Sequence, residues 1–171
     1  MKQDVIDSFA AAYSAKPAAY SHAPGRLEIL GNHTDYNEGF VLSCATGQAT
    51  EMAIAAIPGR ICKLQNPPLK GEFTIDLDDM DTPRPKDWTN YIKGVLVELR
   101  RRGISYPAFE VLFKSSVPLS AGMSSSAALE MAFCMALKQL AGIDLPLPEW
   151  ARVGQSVENV YLGLKSGLLD Q

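Results

Sequence analysis

A two-layer α+β fold, an antiparallel or mixed sheet backed by helices, is predicted by three features of this 171-residue sequence. Between Ala18 and Gly71, short apolar runs are punctuated by Gly, Pro and Asn, the mark of strands and turns. Beyond Asp87 the apolar spacing lengthens to that of helices. The segment from Ser124 to Leu140 is apolar almost all round, which predicts a helix buried on most faces.

The elements follow in order. Residues 3 to 15 place Val5, Ile6, Phe9, Ala12 and Tyr13 at helical spacing, and Pro17 marks the stop. The runs "AAYSHA", "RLEIL", "FVLSCA", "TEMAIAAI", "ICKLQ" and "EFTIDL" then read as strands. "WTNYIKGVLVELRRRG" restores a helical period through Tyr91, Ile92, Val95, Leu96 and Leu99, with Gly103 as its C-terminal cap. "AFEVLFKSSVP" alternates apolar and polar residues until Pro118, as one more strand would. Leu147 to Leu162 gives a last helix, opened by Pro148 and closed by Gly163.

Composition narrows the class of function. Apolar residues make up 47% and charged residues 20%, the balance of a globular chain near the size of one domain. A formal charge of -3 gives no general attraction to nucleic acid or anionic lipid. Arg100, Arg101 and Arg102 fall at a helix end, where cations favour the dipole. Cys44, Cys62 and Cys134 are odd in number, widely spaced and set in apolar segments, so they read as buried thiols of a reducing compartment. Acidic residues within the first ten positions argue against a signal peptide, and no stretch approaches the ~20 apolar residues of a membrane span. A soluble, cytoplasmic protein is the expectation.

Three stretches carry chemistry. "VPLSAGMSSSAALEMA" joins a strand to a buried helix through small residues, an arrangement that turns free backbone N–H groups and a positive dipole end outward. Gly122 and Ala121 admit a close backbone approach, and Ser124, Ser125 and Ser126 can donate to phosphate oxygens or offer a lone pair to a metal ion. The same serines could instead cap the helix. No G-x-x-x-x-G-K-[ST] string is present, so a nucleotide site here is not an ordinary P-loop. "APGRLEILGNHTDYNEG" gathers Arg26, His33, Asp35 and Asn37 between glycines, as a hydrogen-bonding pocket or as a polar turn. In "SVENVYLGLKSGLLDQ", Glu158 lies on the last helix, where a lone acid normally faces solvent, and Asp170 follows Gly163 and Gly167.

Taken together, "GRLEILGNHTDYNEG", "DWTNYIKGV", "VPLSAGMSSSAALE" and "GLLDQ" resemble, in order and spacing, the motifs of the galactokinases, a branch of the GHMP small-molecule kinases. The resemblance covers the chain from Ala23 onward. It implies a ribosomal protein S5 domain 2-like fold, a mostly antiparallel sheet packed against helices. It also implies transfer of the γ-phosphoryl of ATP, with Mg²⁺, to the C1 hydroxyl of galactose. Arg26 and Asp170 would then flank the reacting hydroxyl, and Asn32, His33, Asp35 and the Gly167 backbone would bond the sugar. Ala121, Gly122, Met123, Ser124, Ser125 and Ser126 would cradle phosphates, Ser126 and Glu158 would hold Mg²⁺, and Trp88 would lie near the adenine.

The sequence departs from the family at three points. Asn32 stands where galactokinases carry a glutamate on the sugar, which loses a charge-assisted hydrogen bond and leaves open a different sugar. Ser120 replaces a glycine and Met123 a leucine, and the serine is strained if its position needs a positive φ. Family members also run to roughly twice this length, about two domains. The resemblance therefore implies that residues 1–171 are a GHMP kinase N-terminal domain, that the C-terminal half is missing, and that the chain alone turns over poorly. A non-catalytic sugar sensor on the same fold is the remaining alternative.

Overall fold

The computed structural model describes residues 2–31, 39–69 and 71–171. Strands β1 (Ala19–Leu30), β2 (Leu42–Ile57), β3 (Ile61–Gln65), β4 (Phe73–Asp76) and β5 (Ala108–Ser115) form one sheet in the order β1-β2-β5-β3-β4. Every neighbouring pair is antiparallel except β3 with β5, so the sheet is mixed but mostly antiparallel. The helices are α1 (Lys2–Tyr13), α2 (Thr89–Arg101), α3 (Ser125–Ala141) and α4 (Leu147–Ser156).

Side chains alternate across the strands and so build two unequal cores. Met52 and Ile54 of β2 and Phe109, Val111 and Phe113 of β5 face the main core, filled from the other side by α2, α3 and α4. Ala53 and Leu112 face the opposite side, where Val5 and Phe9 of α1 cover them. The amphipathic first helix thus adds cover to a second sheet face that the two-layer expectation left bare.

The sequence expectations hold for the type of every element and differ at their joints. "AAYSHA" and "RLEIL" are one strand, and so are "FVLSCA" and "TEMAIAAI", with register shifts at Pro24/Arg26 and Glu28/Leu30. β1 tolerates Pro24 because it is the edge strand, where a missing N–H removes no ladder bond on the open side. Cys62 and Cys134 are buried as expected, but Cys44 is exposed. It lies on the β1–β2 ribbon, where Leu27, Ile29, Leu30 and Leu42 are also exposed.

α3 owes its depth to small residues. Ala127, Ala132 and Ala136 are 0% exposed, and the Ala132 carbonyl accepts a 2.6 Å bond from Ser21 Oγ of β1. The last predicted helix is α4 followed by one π-helical turn, Val157–Tyr161, in which the Leu162 N–H reaches the Val157 carbonyl at 2.9 Å. Gly163 closes it at φ 70°, in the left-handed region. Among the described residues no helix is long and apolar enough to cross a membrane.

Two measurements test this packing. A Cβ at Gly94 of α2 would meet Val157 Cγ1 at 2.4 Å and Tyr161 Cδ1 at 3.0 Å. Gly94→Ala therefore lowers the urea midpoint, by about 1–3 kcal/mol of overpacking that outweighs the better helix propensity of alanine. In the native chain a thiol reagent labels Cys44 alone. Cys62, whose thiol burial pushes up to about 11, and fully buried Cys134 react only on unfolding.

Candidate active site

The site assembles where β1, the loop before α3 and the last turn of the chain converge. Arg26 of β1 and Asp170 are 144 residues apart in sequence and form a partly buried ion pair. They line a cavity of about 220 Å³ with Gly25, Cys44, Ala127 and Met131. Arg26 Nη1 also lies 3.9 Å from a Glu28 oxygen, while its Nε–H is buried with no hydrogen-bond partner among the described residues.

The loop Leu119–Ser124 is bound to β1 by the backbone. The Arg26 N–H donates to the Met123 carbonyl at 3.2 Å. That approach needs Gly25, because a Cβ there would sit 2.9 Å from the Met123 oxygen and 3.1 Å from Val117 Cγ1. Ser120, Gly122 and Ser124 all have positive φ, at 57°, 68° and 52°. Ser120 and Ser124 hold left-handed conformations that cost a non-glycine residue about 1–2 kcal/mol each. Ser120, which replaces the family's glycine, therefore sits where a glycine would be unstrained.

The capping reading of the serines is corrected by this geometry. Ser124 precedes α3 in the left-handed conformation and makes no side-chain cap bond. Its Oγ is buried without a partner among the described residues. Ala121 and Gly122 are exposed, and Met123 to Ser126 are half-buried. Two residues near the start of α3, Ala127 and Ala128, line the same cavity as Arg26 and Asp170.

Glu158 is not a solvated acid. It is 4% exposed, set in the π-helical turn, and accepts a 3.2 Å bond from Ser126 Oγ. The extra residue of a π turn rotates the side chains that follow α4, the means by which such turns re-aim a group at a site. Among the described residues no cluster of three His, Cys, Asp or Glu could hold a metal ion. The Ser126–Glu158 pair nevertheless offers two hard oxygens side by side, a donor set suited to Mg²⁺ when phosphate and water complete the shell.

Trp88 lines a second cavity, of about 390 Å³, with Lys86, Asp87, Asn90, Tyr91 and Leu164. Its ring is held edge-on by Phe73 and Phe113, at centroid distances of 5.1 and 5.2 Å. Burial, then the Glu130 and Glu158 carboxylates, push the Tyr91 phenol above its usual range. Tyr91 is therefore within electrostatic reach of the Ser126–Glu158 pair. Gly167 is buried and does not line the Arg26–Asp170 cavity. Asn32, His33 and Asp35 lie outside the described residues.

Sequence reasoning missed two buried ionisable groups. Lys93 of α2, 2% exposed, pairs with Asp87 at 3.0 Å, and Asp87 also accepts from the Thr89 N–H and hydroxyl. Glu130, 0% exposed, lies one turn beyond Ser126 on α3. The signal for Glu130 was available, as the one acid in a helix that is otherwise apolar nearly all round.

Residues 7–56 match the galactokinase galactose-binding signature, and residues 90–171 match the N-terminal domain of GHMP kinases. The chain is 36% identical over 159 residues to a galactokinase of Lactococcus lactis, covering 91% of this chain and 40% of that protein. The crystal structure of Lactococcus lactis galactokinase complexed with galactose superposes with a TM-score of 0.92 at 33% identity, covering 98% of this chain and 44% of that one. Methanococcus jannaschii mevalonate kinase shares the fold, with a TM-score of 0.74 at 20% identity over 88% of this chain and 49% of its own. The chain spans less than half the length of these relatives.

The contact between β1 and the loop yields a direct test. Gly25→Ala drives the Met123 carbonyl away, so amide exchange at Arg26 quickens by about tenfold or more while the core amides of α3 stay protected. Unchanged exchange at Arg26 would show that the loop does not depend on this approach.

Proposed function

As a member of the galactokinase branch of the GHMP kinase family, the chain has, we propose, the reacting pair and phosphate-binding loop of an ATP-dependent kinase that phosphorylates galactose at its C1 hydroxyl. One observation carries this reading. Arg26 joins both halves of the site, its guanidinium to Asp170 and its backbone N–H to the Met123 carbonyl of the loop. We read residues 1–171 as a single GHMP kinase N-terminal domain.

Phosphoryl transfer asks for alignment and charge neutralisation more than for covalent help. The Asp170 carboxylate orients the C1 hydroxyl and takes its proton as the oxygen attacks the γ-phosphorus. The bond from that phosphorus to the bridging oxygen breaks, and ADP leaves with the electron pair. Arg26, beside the attacking oxygen, offsets charge on the transferred phosphoryl group. Ala121 to Ser126 present backbone N–H groups and hydroxyls to the phosphates at the positive end of α3. Ser126 and Glu158 would hold Mg²⁺, which when bound neutralises phosphate oxygens. The Trp88 cavity, with Tyr91 as a second aromatic wall, suits the adenine.

The sugar contacts of Asn32, His33, Asp35 and the Gly167 backbone rest on motif alone. Asn32 favours one second reading, a GHMP kinase of the same mechanism acting on a related sugar, because an amide bonds a hydroxyl without the charge that glutamate brings. A panel of hexoses, with the phosphorylated position read by NMR, decides between them. The proposal includes a reducing, cytoplasmic setting, supported by three unpaired thiols.

In the protein that carries this chain, Asp170→Asn lowers kcat by roughly 10²–10⁴-fold, the usual weight of a general base, while galactose binding stays measurable by calorimetry. Unaltered turnover removes Asp170 from the mechanism. Ser126→Ala raises the Mg²⁺ concentration needed for half-maximal rate and leaves the KM for galactose in place.

A further inference from the structure

The segment that delivers Asp170 has no helix or strand of its own from Leu162 to Gln171, so something outside it must fix the carboxylate. One end is clamped by Asn159, whose side chain accepts from the Ser166 N–H at 2.8 Å and donates to the Ser166 carbonyl at 3.0 Å. The other end is Gln171, adjacent to Asp170. The Gln171 amide is buried, and neither its Nε2 nor its Oε1 has a hydrogen-bond partner among the described residues. Both oxygens of Glu130 are in the same condition.

These unpaired groups meet at one place. A Cβ at Gly154 of α4 would come within 2.6 Å of Met131 Cε, 2.8 Å of Gln171 Cγ and 3.3 Å of Glu130 Oε2. The bare Gly154 backbone is thus a seat that the Gln171 side chain fills, with the Glu130 carboxyl beside it. A carboxyl and a carboxamide are complementary, since the amide donates to an acid oxygen whether or not the acid carries its proton. Two such buried groups left unpaired would each cost about 1–3 kcal/mol. Burial, then repulsion from Glu158, pushes the Glu130 acid well above the usual carboxylate range, and the Gln171 amide pulls it the other way.

We propose that Glu130 and Gln171 are positioning residues, docked on each other over Gly154 so that residue 171 is fixed and the neighbouring Asp170 carboxylate is held against Arg26. This rests on the reading of Arg26 and Asp170 as the reacting pair, and it adds what sets their geometry. Asn159 and Glu130 then grip residues 166 and 171, and Asp170 lies between the grips.

The test has two readouts. In the 171-residue chain, Gln171→Leu and Glu130→Leu each shift and broaden the Arg26 Nε–H resonance in ¹⁵N spectra, while Glu130→Gln, which keeps a bonding partner for the amide, leaves it near its original position. In the protein that carries this chain, the two leucine variants lower kcat by about 10–100-fold, the scale of a misplacement near 1 Å, with the KM for ATP unchanged. Glu130→Gln restores most of that rate. The double leucine variant is no worse than either single one, because both break the same contact. An unmoved Arg26 resonance in Gln171→Leu, or rate losses that multiply in the double variant, overturns the proposal. Should Glu130→Leu fail to fold, Gln171→Leu, altered at a half-buried position, decides alone. Parallel assay of Asp170→Asn separates the two ideas: turnover retained there sinks the reacting pair, whereas turnover lost there but kept in Gln171→Leu sinks only the positioning role.

Discussion

The site depends on one close approach of backbone to backbone, between Gly25–Arg26 of β1 and Met123 of the loop before α3. A strand and a loop can meet at 3.2 Å between N and O only where no side chain intervenes, and Gly25 supplies that gap. The approach ties the position of Arg26 to the start of α3. A guanidinium that pairs with Asp170 and a helix end that presents free N–H groups are then held in one frame. If β1 stood a little further off, the ion pair and the helix end would be two unrelated surface features. The Ser21–Ala132 bond fixes the same strand to the same helix further along, so the frame is held at two points.

Strain is concentrated where the chain meets its proposed ligand. Three of the five residues from Ser120 to Ser124 have positive φ, and two of them are serines without the freedom of glycine. Such conformations persist only where surrounding structure over-determines them, and here β1 on one side and the buried body of α3 on the other do so. The π turn around Glu158 is a second departure from regular geometry, again directly against the first turn of α3. The regular parts of the fold carry stability, and the irregular ones aim side chains.

How much of this was legible in the sequence follows from the range of the interactions involved. The types of all the strands and helices are local matters of period and punctuation, and they were readable. The joints were not. Pro24 and Gly25 read as a break because a proline interrupts an interior strand, and only the sheet order reveals that β1 is an edge. Cys44 read as buried because its neighbours are apolar, but it is exposed where it lines the cavity shared with α3 and Asp170. Among site residues, Arg26, Ser126, Glu158 and Asp170 were identified by resemblance, yet their pairing spans up to 144 positions and no local pattern encodes it. The Gln171 seat was beyond reach for the same reason, since its cause is the absence of a side chain at Gly154 on another helix.

The distribution of charge also explains why the proposed chemistry calls for a divalent ion. The first turn of α3 suits an anion, yet directly behind it lie two buried carboxyl groups, Glu130 and Glu158, and burial, then repulsion from Glu158, raises Glu130 well above its usual range. A buried carboxyl group whose partner among the described residues is a serine hydroxyl is costly to keep, and a carboxylate there would oppose the binding of a triphosphate. A small hard cation held by Ser126 and Glu158 would offset this repulsion and let the carboxyl group favour nucleotide binding. On this view Glu158 is retained despite its cost because its charge is useful solely in the complex. Glu130 one turn deeper, kept closer to neutral by burial, can serve a purely geometric end.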